Sequence, residues 1–286
     1  MLSPGDHRRS LQCGGRTRTY LIHVPPGFDP AQPVPVVLVF HGGATNARTM
    51  ARFCGLNETA DRYGFLAVYP SGTGRNPNLL TWNAGNCCGD ALRDNVDDVG
   101  FVAALLDDLA GLAEIDPNRV FATGMSNGGM LAYRLALELS EQIAAIASIA
   151  GPMGTDGCRP TRPVSILHFH GTADEFTPYA GGLGPKSLTT IVFRSAADSV
   201  RWWVAANGCP ERPQESTIDA EETGGFPVEK SVWGPGDSAS EVVLYTIHGG
   251  GHTWPGRIPS GTYLGPSATG ISANELLWAF FQRHAR

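Results

Sequence analysis

The chain has 286 residues, 42% of them apolar and 9% aromatic, enough to fill a core that buries about three quarters of the surface exposed on unfolding. Its 21 basic and 27 acidic side chains leave a net charge of −6, and neither sign forms a run that could track phosphates or dock on an anionic bilayer, so nucleic acid and membrane surfaces are not expected partners. The longest apolar runs, 34–40 and 143–150, fall far short of the roughly 20 residues of a spanning helix, and the first ten residues carry charge with no apolar segment behind it and do not read as a signal peptide.

Short apolar runs alternate with amphipathic stretches, punctuated by 36 Gly and 21 Pro. That alternation predicts an α/β fold with a mostly parallel central sheet and helices on both faces. One domain is expected over 1–286, without internal repeats. Residues 17–24 alternate faces up to Pro25 and Pro26, like a strand near an edge, whereas 35–40 is continuously apolar, like a central strand covered on both sides. Residues 56–63 read as a helix with Asn57 as its cap and Gly64 as its stop, followed by a short strand over 65–69.

Residues 71–95 are rich in Gly, Asn and Pro and show no periodicity, so a functional loop rimming a site is expected there. Over 97–113, Val99, Val102, Leu105, Leu106 and Leu109 recur at helical spacing, with Asp97 and Asp98 where negative charge favours a helix N-terminus. Residues 120–125 read as a strand, 127–139 as a helix, and 143–150 and 164–169 as apolar runs at the centre of the sheet. Helices are expected over 190–206 and 273–283, a strand over 241–247, and irregular structure over 208–240.

The sharpest local signal is Gly124-Met125-Ser126-Asn127-Gly128, a G-x-S-x-G between a strand pattern and a helix pattern. Such a turn lifts the serine hydroxyl above the sheet edge, with glycines giving its close neighbours room; the bland alternative is a helix-capping serine. A serine hydroxyl needs an imidazole base, itself oriented by a carboxylate, and in this arrangement the order is serine, acid, histidine. Asp174 follows the strand 164–169 within His170-Gly171-Thr172-Ala173-Asp174, ahead of Asp198, Asp219 and Asp237, which follow no strand end. His252 lies in the flexible run from Gly249 to Gly256, with His248 as its substitute, and His284 is expected to be solvated.

The oxyanion formed on attack needs two backbone donors. Asn127, after the serine, supplies one, and Gly43 or a neighbour in His41-Gly42-Gly43-Ala44 supplies the other. His41, His168 and His170 are read as structural, and no H-E-x-x-H or C-x-x-C spacing supports a metal site. No cofactor is expected.

On these residues the chain resembles the α/β-hydrolase esterases called polyhydroxybutyrate depolymerase-like, feruloyl esterase or LpqC-like proteins, related to the family 1 carbohydrate esterases. The likeness runs almost end to end, through Arg18-Thr19-Tyr20-Leu21, Trp82-Asn83-Ala84-Gly85-Asn86-Cys87-Cys88, Asp97-Asp98-Val99-Gly100-Phe101, Gly124 to Gly129, His170 to Asp174 with Pro178-Tyr179, and Gly249 to Gly256. It implies the triad Ser126, Asp174 and His252. It also implies hydrolysis of hydroxycinnamoyl esters on plant cell-wall polysaccharide or, in the alternative, of hydroxyalkanoate polyesters. Trp233-Gly234-Pro235-Gly236 departs from the pattern.

Trp82, Tyr179 and Trp254 are nominated as apolar substrate contacts on converging loops. Among six cysteines, Cys158 and Cys209 are candidate partners, and Cys87 and Cys88 pair with one another or one of them with Cys13 or Cys54. Such cysteines and a bulky polymeric substrate suit a secreted or periplasmic enzyme.

Overall fold

A computed structural model of the chain describes residues 2–156, 159–259 and 261–286. The strands are β1 (Gly5–Cys13), β2 (Arg16–Val24), β3 (Val34–Phe40), β4 (Leu66–Pro70), β5 (Ile115–Met125), β6 (Ala145–Ile149), β7 (Ser165–Gly171), β8 (Gln214–Ile218), β9 (Val228–Trp233) and β10 (Val242–Ile247). They form one ten-stranded sheet in the order β1-β2-β4-β3-β5-β6-β7-β10-β9-β8. The run from β4 to β10 is parallel, and antiparallel pairs close both margins. This is the α/β-hydrolase fold.

The helices are α1 (Ala47–Cys54), α2 (Leu56–Tyr63), α3 (Gly89–Arg93), α4 (Asp98–Ala110), α5 (Asn127–Glu138), α6 (Ala196–Ala206) and α7 (Ala273–Arg283). Strand β3 shows why both faces need cover: Val36, Leu38 and Phe40 enter a core with α4, α5 and α6, while Val37 and Val39 enter a second core with α1, α2 and α7. The parallel strands end along one edge of the sheet, and the loops leaving β3, β5, β7 and β10 meet there, as open α/β sheets require of their sites.

Several elements differ from the sequence expectation. Strand β1 pairs with β2 through Gly14 and Gly15, both at positive φ (55° and 71°); its exposed outer residues hide its alternation. Helix α1 is short, capped by Asn46, whose Oδ1 accepts the Thr49 N–H at 3.0 Å, and stopped at Gly55 with φ 61°. Asn57 is no cap: α2 begins at Leu56, and the Asn57 Oδ1 accepts the Tyr69 hydroxyl at 2.6 Å.

Helix α6 starts at Ala196, where the Ser195 Oγ accepts the Asp198 N–H at 2.9 Å. The upstream Phe193 reaches the core from extended chain, which had lengthened the apparent helix. Within 208–240, expected to be irregular, β8 and β9 form a mostly polar antiparallel margin with little apolar signal to betray it.

Candidate active site

Ser126 stands between β5 and α5 with φ 56° and ψ −124°, a backbone conformation rare for a residue with a side chain. Its N–H donates to Ile149 O at 2.8 Å, and its hydroxyl does not cap α5. The flanking glycine explains the sharpness of the turn. A Cβ at Gly124 would lie 2.6 Å from the carbonyl of Gly128 and 2.8 Å from Phe40 O, so only a bare glycine lets α5 and β3 approach so closely.

Asp174 follows β7, and its carboxylate is buried under converging donors. Its Oδ1 accepts the N–H groups of Phe176 (2.8 Å) and Thr177 (2.9 Å), while the Thr177 hydroxyl lies 3.0 Å from Oδ2. The same Oδ2 accepts Nδ1–H of His252 at 2.7 Å. Burial acts to raise the Asp174 pKa, but the electrostatic pull of His252 and the donors from His170 and His252 outweigh it, holding the carboxyl well below the usual range.

A carboxylate can only accept, so the His252 proton is on Nδ1 and Nε2 is left bare as a proton acceptor. The His252 N–H donates to Leu264 O at 2.7 Å, and its ring stacks on Phe176 at 5.0 Å and 27°. Ser126 and His252 line one pocket of about 330 Å³. His248, the substitute, instead meets Glu229 at 3.3 Å, and His284, expected to be solvated, has a largely buried side chain that meets Glu241 at 3.1 Å.

The loop after β3 runs over the serine turn. A Cβ at Gly42 would lie 3.5 Å from Met125 O and one at Gly43 3.8 Å from the Asn127 Cβ, and both glycines line the pocket with Asn127. His41 props this loop from below: its Nδ1–H donates to Gly42 O at 2.7 Å and its Nε2 accepts the Gly72 N–H at 2.9 Å. Burial lowers its pKa from 6.5 to about 4, outweighing the Gly42 contact.

Asn127 has a side-chain role that sequence reading missed. Its Oδ1 accepts the Trp82 N–H at 2.8 Å and its Nδ2 donates to Trp82 O at 3.1 Å, fastening the 71–95 loop to the start of α5.

The three nominated substrate contacts do not line the pocket. Trp82 is fully buried, its Nε1–H donating to His41 O at 2.9 Å; Trp254 is fully buried and donates to Asn274 Oδ1 at 2.8 Å. The Tyr179 hydroxyl meets Thr246 Oγ1 at 2.9 Å. The apolar wall is instead made by Met50 and Phe53 of α1 with Phe176, Leu188, Phe193 and Tyr263. Leu188 and Tyr263 are 77% and 61% exposed, and no periodicity marks loop residues of this kind.

Cys87 and Cys88 lie side by side against the pocket, whereas Cys54 is buried in the core on the other face of the sheet. Cys158 lies outside the described residues, and the Cys209 Sγ is 3.8 Å from Ser240 O. Among the described residues, no helix is long and apolar enough to cross a membrane.

Residues 18–157 match the family described as Esterase PHB depolymerase. NocK of Nocardia uniformis subsp. tsuyamanensis, designated an esterase, is 36% identical over 280 residues, covering 94% of this chain and 78% of its own. Feruloyl esterase B of Piromyces equi is 29% identical over 82% of this chain, which spans 42% of that protein's length. Among solved structures, the acetyl xylan esterase from Aspergillus awamori is similar with a TM-score of 0.61 and 16% identity, covering 86% of this chain and 94% of its own.

Proposed function

Given that the chain belongs to the PHB depolymerase esterase family and is a carboxylic-ester hydrolase, we propose that it works through an acyl-enzyme on Ser126 and that 1–286 forms one catalytic domain. His252 Nε2 takes the Ser126 proton, Asp174 holds the imidazole and balances the charge it gains, and the amides of Gly43 and Asn127 receive the oxyanion. Water activated by the same imidazole then releases the acid. The observation that carries this reading is the 2.7 Å bond from His252 Nδ1 to Asp174 Oδ2, with His252 and Ser126 on one pocket.

The favoured substrate is a feruloyl or related hydroxycinnamoyl ester of plant cell-wall polysaccharide. Support comes from the feruloyl esterases among the relatives and from a pocket walled by Phe176, Phe193 and Tyr263, a setting suited to a planar phenolic acid. The second reading, a short hydroxyalkanoate polyester or oligomer, is favoured by the family match over 18–157. A polymeric substrate suits a secreted or periplasmic enzyme, and a Cys87–Cys88 bridge suits that setting; six thiols on Ellman titration of unfolded, unreduced protein would remove the bridge.

Initial rates on methyl ferulate and a hydroxybutyrate oligomer, with Ser126→Ala as blank, test both readings. A tenfold preference, about 1.4 kcal/mol of transition-state discrimination, decides the acyl class. Loss of Ser126 should lower turnover by about a thousandfold or more while the fold survives; near-normal turnover would refute the assignment.

A further inference from the structure

Behind Asp174 lies a buried chain of polar side chains that the proposed reaction does not use. His168 and His170 are two residues apart on β7 and share the face turned toward α5, where Tyr133 lies; all three are at most 1% exposed. The His170 Nε2 is 2.7 Å from Thr177 O, the His168 Nε2 is 3.0 Å from His170 Nδ1, and the Tyr133 hydroxyl is 2.8 Å from His168 Nδ1. The two rings stack at 5.2 Å and 12°, and the Tyr179 ring closes edge-on over His170 at 5.8 Å.

One arrangement of protons satisfies every contact with a single proton per ring. A carbonyl oxygen cannot donate, so the His170 proton is on Nε2, which leaves its Nδ1 to accept from His168 Nε2–H. The bare Nδ1 of His168 then accepts the tyrosine hydroxyl. Donation therefore runs one way, from Tyr133 through His168 and His170 to Thr177 O. Burial, with the neighbouring His170 adding to it, depresses the His168 pKa well below the ordinary value, in keeping with a neutral ring.

The chain ends on the turn that carries the acid. The Nε2 that donates to Thr177 O is also 3.4 Å from Asp174 Oδ2, the oxygen that accepts from His252. Thr177, whose carbonyl His170 grips, gives its own N–H to Asp174. His170 thus holds the 174–177 turn through Thr177 O while its Nε2 and the His252 Nδ1 both face Asp174 Oδ2. The charged groups nearest the chain are Asp174 at one end and, at the Tyr133 end, Arg194, which is ion-paired with Asp156. The strand neighbours of His168 and His170 in register, Ser148, Leu244 and Thr246, carry no charge.

We propose that His170, oriented by His168 and Tyr133, is a positioning residue that fixes the Asp174 carboxylate against His252. The proposal rests on the assignment of Asp174 and His252 as the catalytic pair. Removing the His170 donor leaves Oδ2 less compensated and free to tilt, so the carboxylate holds a proton on its imidazole partner more firmly and aims it less well.

Three variants test this beside the Ser126→Ala blank. His170→Leu, similar in bulk and without a donor, should lower kcat by about 10- to 100-fold with a smaller change in KM, and move the acid limb of the kcat/KM profile to higher pH. His170→Gln, whose amide N–H reaches toward the position of Nε2, should recover most of the loss and return the acid limb. Tyr133→Phe should give a weaker effect of the same sign.

Wild-type kcat and pH profile in His170→Leu would overturn the proposal, as would equal damage from His170→Leu and His170→Gln with no pH shift. Should His170→Leu fail to fold, 15N NMR of the unaltered protein serves instead: each ring is expected to carry its proton on Nε2, and a proton on Nδ1 of His170 overturns the chain. Turnover surviving in Ser126→Ala would refute the catalytic reading, whereas an inactive Ser126→Ala beside an unimpaired His170→Leu would refute this proposal alone.

Discussion

Gly124 and Phe176 show how single residues set the site in different ways. Gly124 acts by absence: with a Cβ 2.6 Å from the Gly128 carbonyl, Gly124→Ala must push α5 away from β3 and turn Ser126 out of place. Such overpacking against rigid backbone costs roughly 1–3 kcal/mol, so the urea midpoint should fall and kcat with it; a variant of unchanged midpoint and rate would show that the turn yields cheaply. Phe176 acts by presence, stacked on His252 and lining the pocket. Phe176→Ala should raise KM for methyl ferulate by roughly tenfold, about 1.4 kcal/mol, and affect acetyl esters less. Equal losses on both esters would assign Phe176 to holding His252 rather than the acyl group.

The same residues divide what could be read from the chain. Ser126, the proposed nucleophile, stands out in the chain because its turn is local, with glycines two before and two after; Asp174 stands out because it follows a strand end in the required order, and His252 because it lies in the glycine-rich run 249–256. Trp82 and Trp254 looked like pocket residues by their loops, yet each buries its ring and satisfies its N–H within the core. An aromatic beside a catalytic motif can face either way, and the chain alone holds nothing that sets the direction.

At the scale of elements, α1 and the 71–95 loop form the far side of the pocket. Around Trp82 and Asn83 the loop is tied down by Asn127 on Trp82, His41 O on the Trp82 indole, Asp98 Oδ2 accepting the Asn83 N–H at 2.8 Å, and Arg134 donating to Asn83 O at 2.8 Å. Asp98 is in turn paired with the buried Arg18 at 2.6 Å, which couples the loop to β2. Helix α1 holds Met50 and Phe53 in the wall and begins at the Asn46 cap. Asn46→Ala should cost about 1 kcal/mol of stability and raise KM more than it lowers kcat, because the wall frays while the base stays in place; a stability loss with unchanged KM would separate the helix from binding.

Helix α1 escaped notice because it is eight residues long with Ala47, Met50 and Cys54 buried, too few apolar positions for a periodic signal. The strands β8 and β9 escaped because their mostly polar side chains take their order from pairing, β9 with β10 and β8 with β9.

For the molecule as a whole, buried imidazoles contribute to the dependence of stability on pH. His41 has its folded pKa lowered from 6.5 to about 4, by burial first; His168 is depressed in the same direction. A group with a depressed basic pKa binds its proton in the unfolded chain first, so between those two pH values the unfolded state holds more protons and stability falls as pH falls. For His41 alone the loss approaches about 3 kcal/mol by pH 4. The urea midpoint should decline steadily from pH 7 toward pH 4.5 with little change in m; a flat profile would show that His41 escapes burial or accepts charge where it lies.

Legible in the chain alone were the alternation of strands and helices, the doubly covered centre of the sheet, and the order serine, acid, histidine of the three residues proposed for catalysis. Each of those features is signalled locally, by the apolar periods of strand and helix, by the glycine-flanked serine turn, and by the short segments that carry Asp174 and His252. Tertiary structure alone decided which aromatic rings wall the pocket, that Asn127 anchors a distant loop, that polar strands close the sheet margin, and that Tyr133, His168 and His170 line up behind Asp174. Each of those depends on side chains far apart in the chain being turned toward a common space, and only packing of the whole sheet with its helices sets that direction.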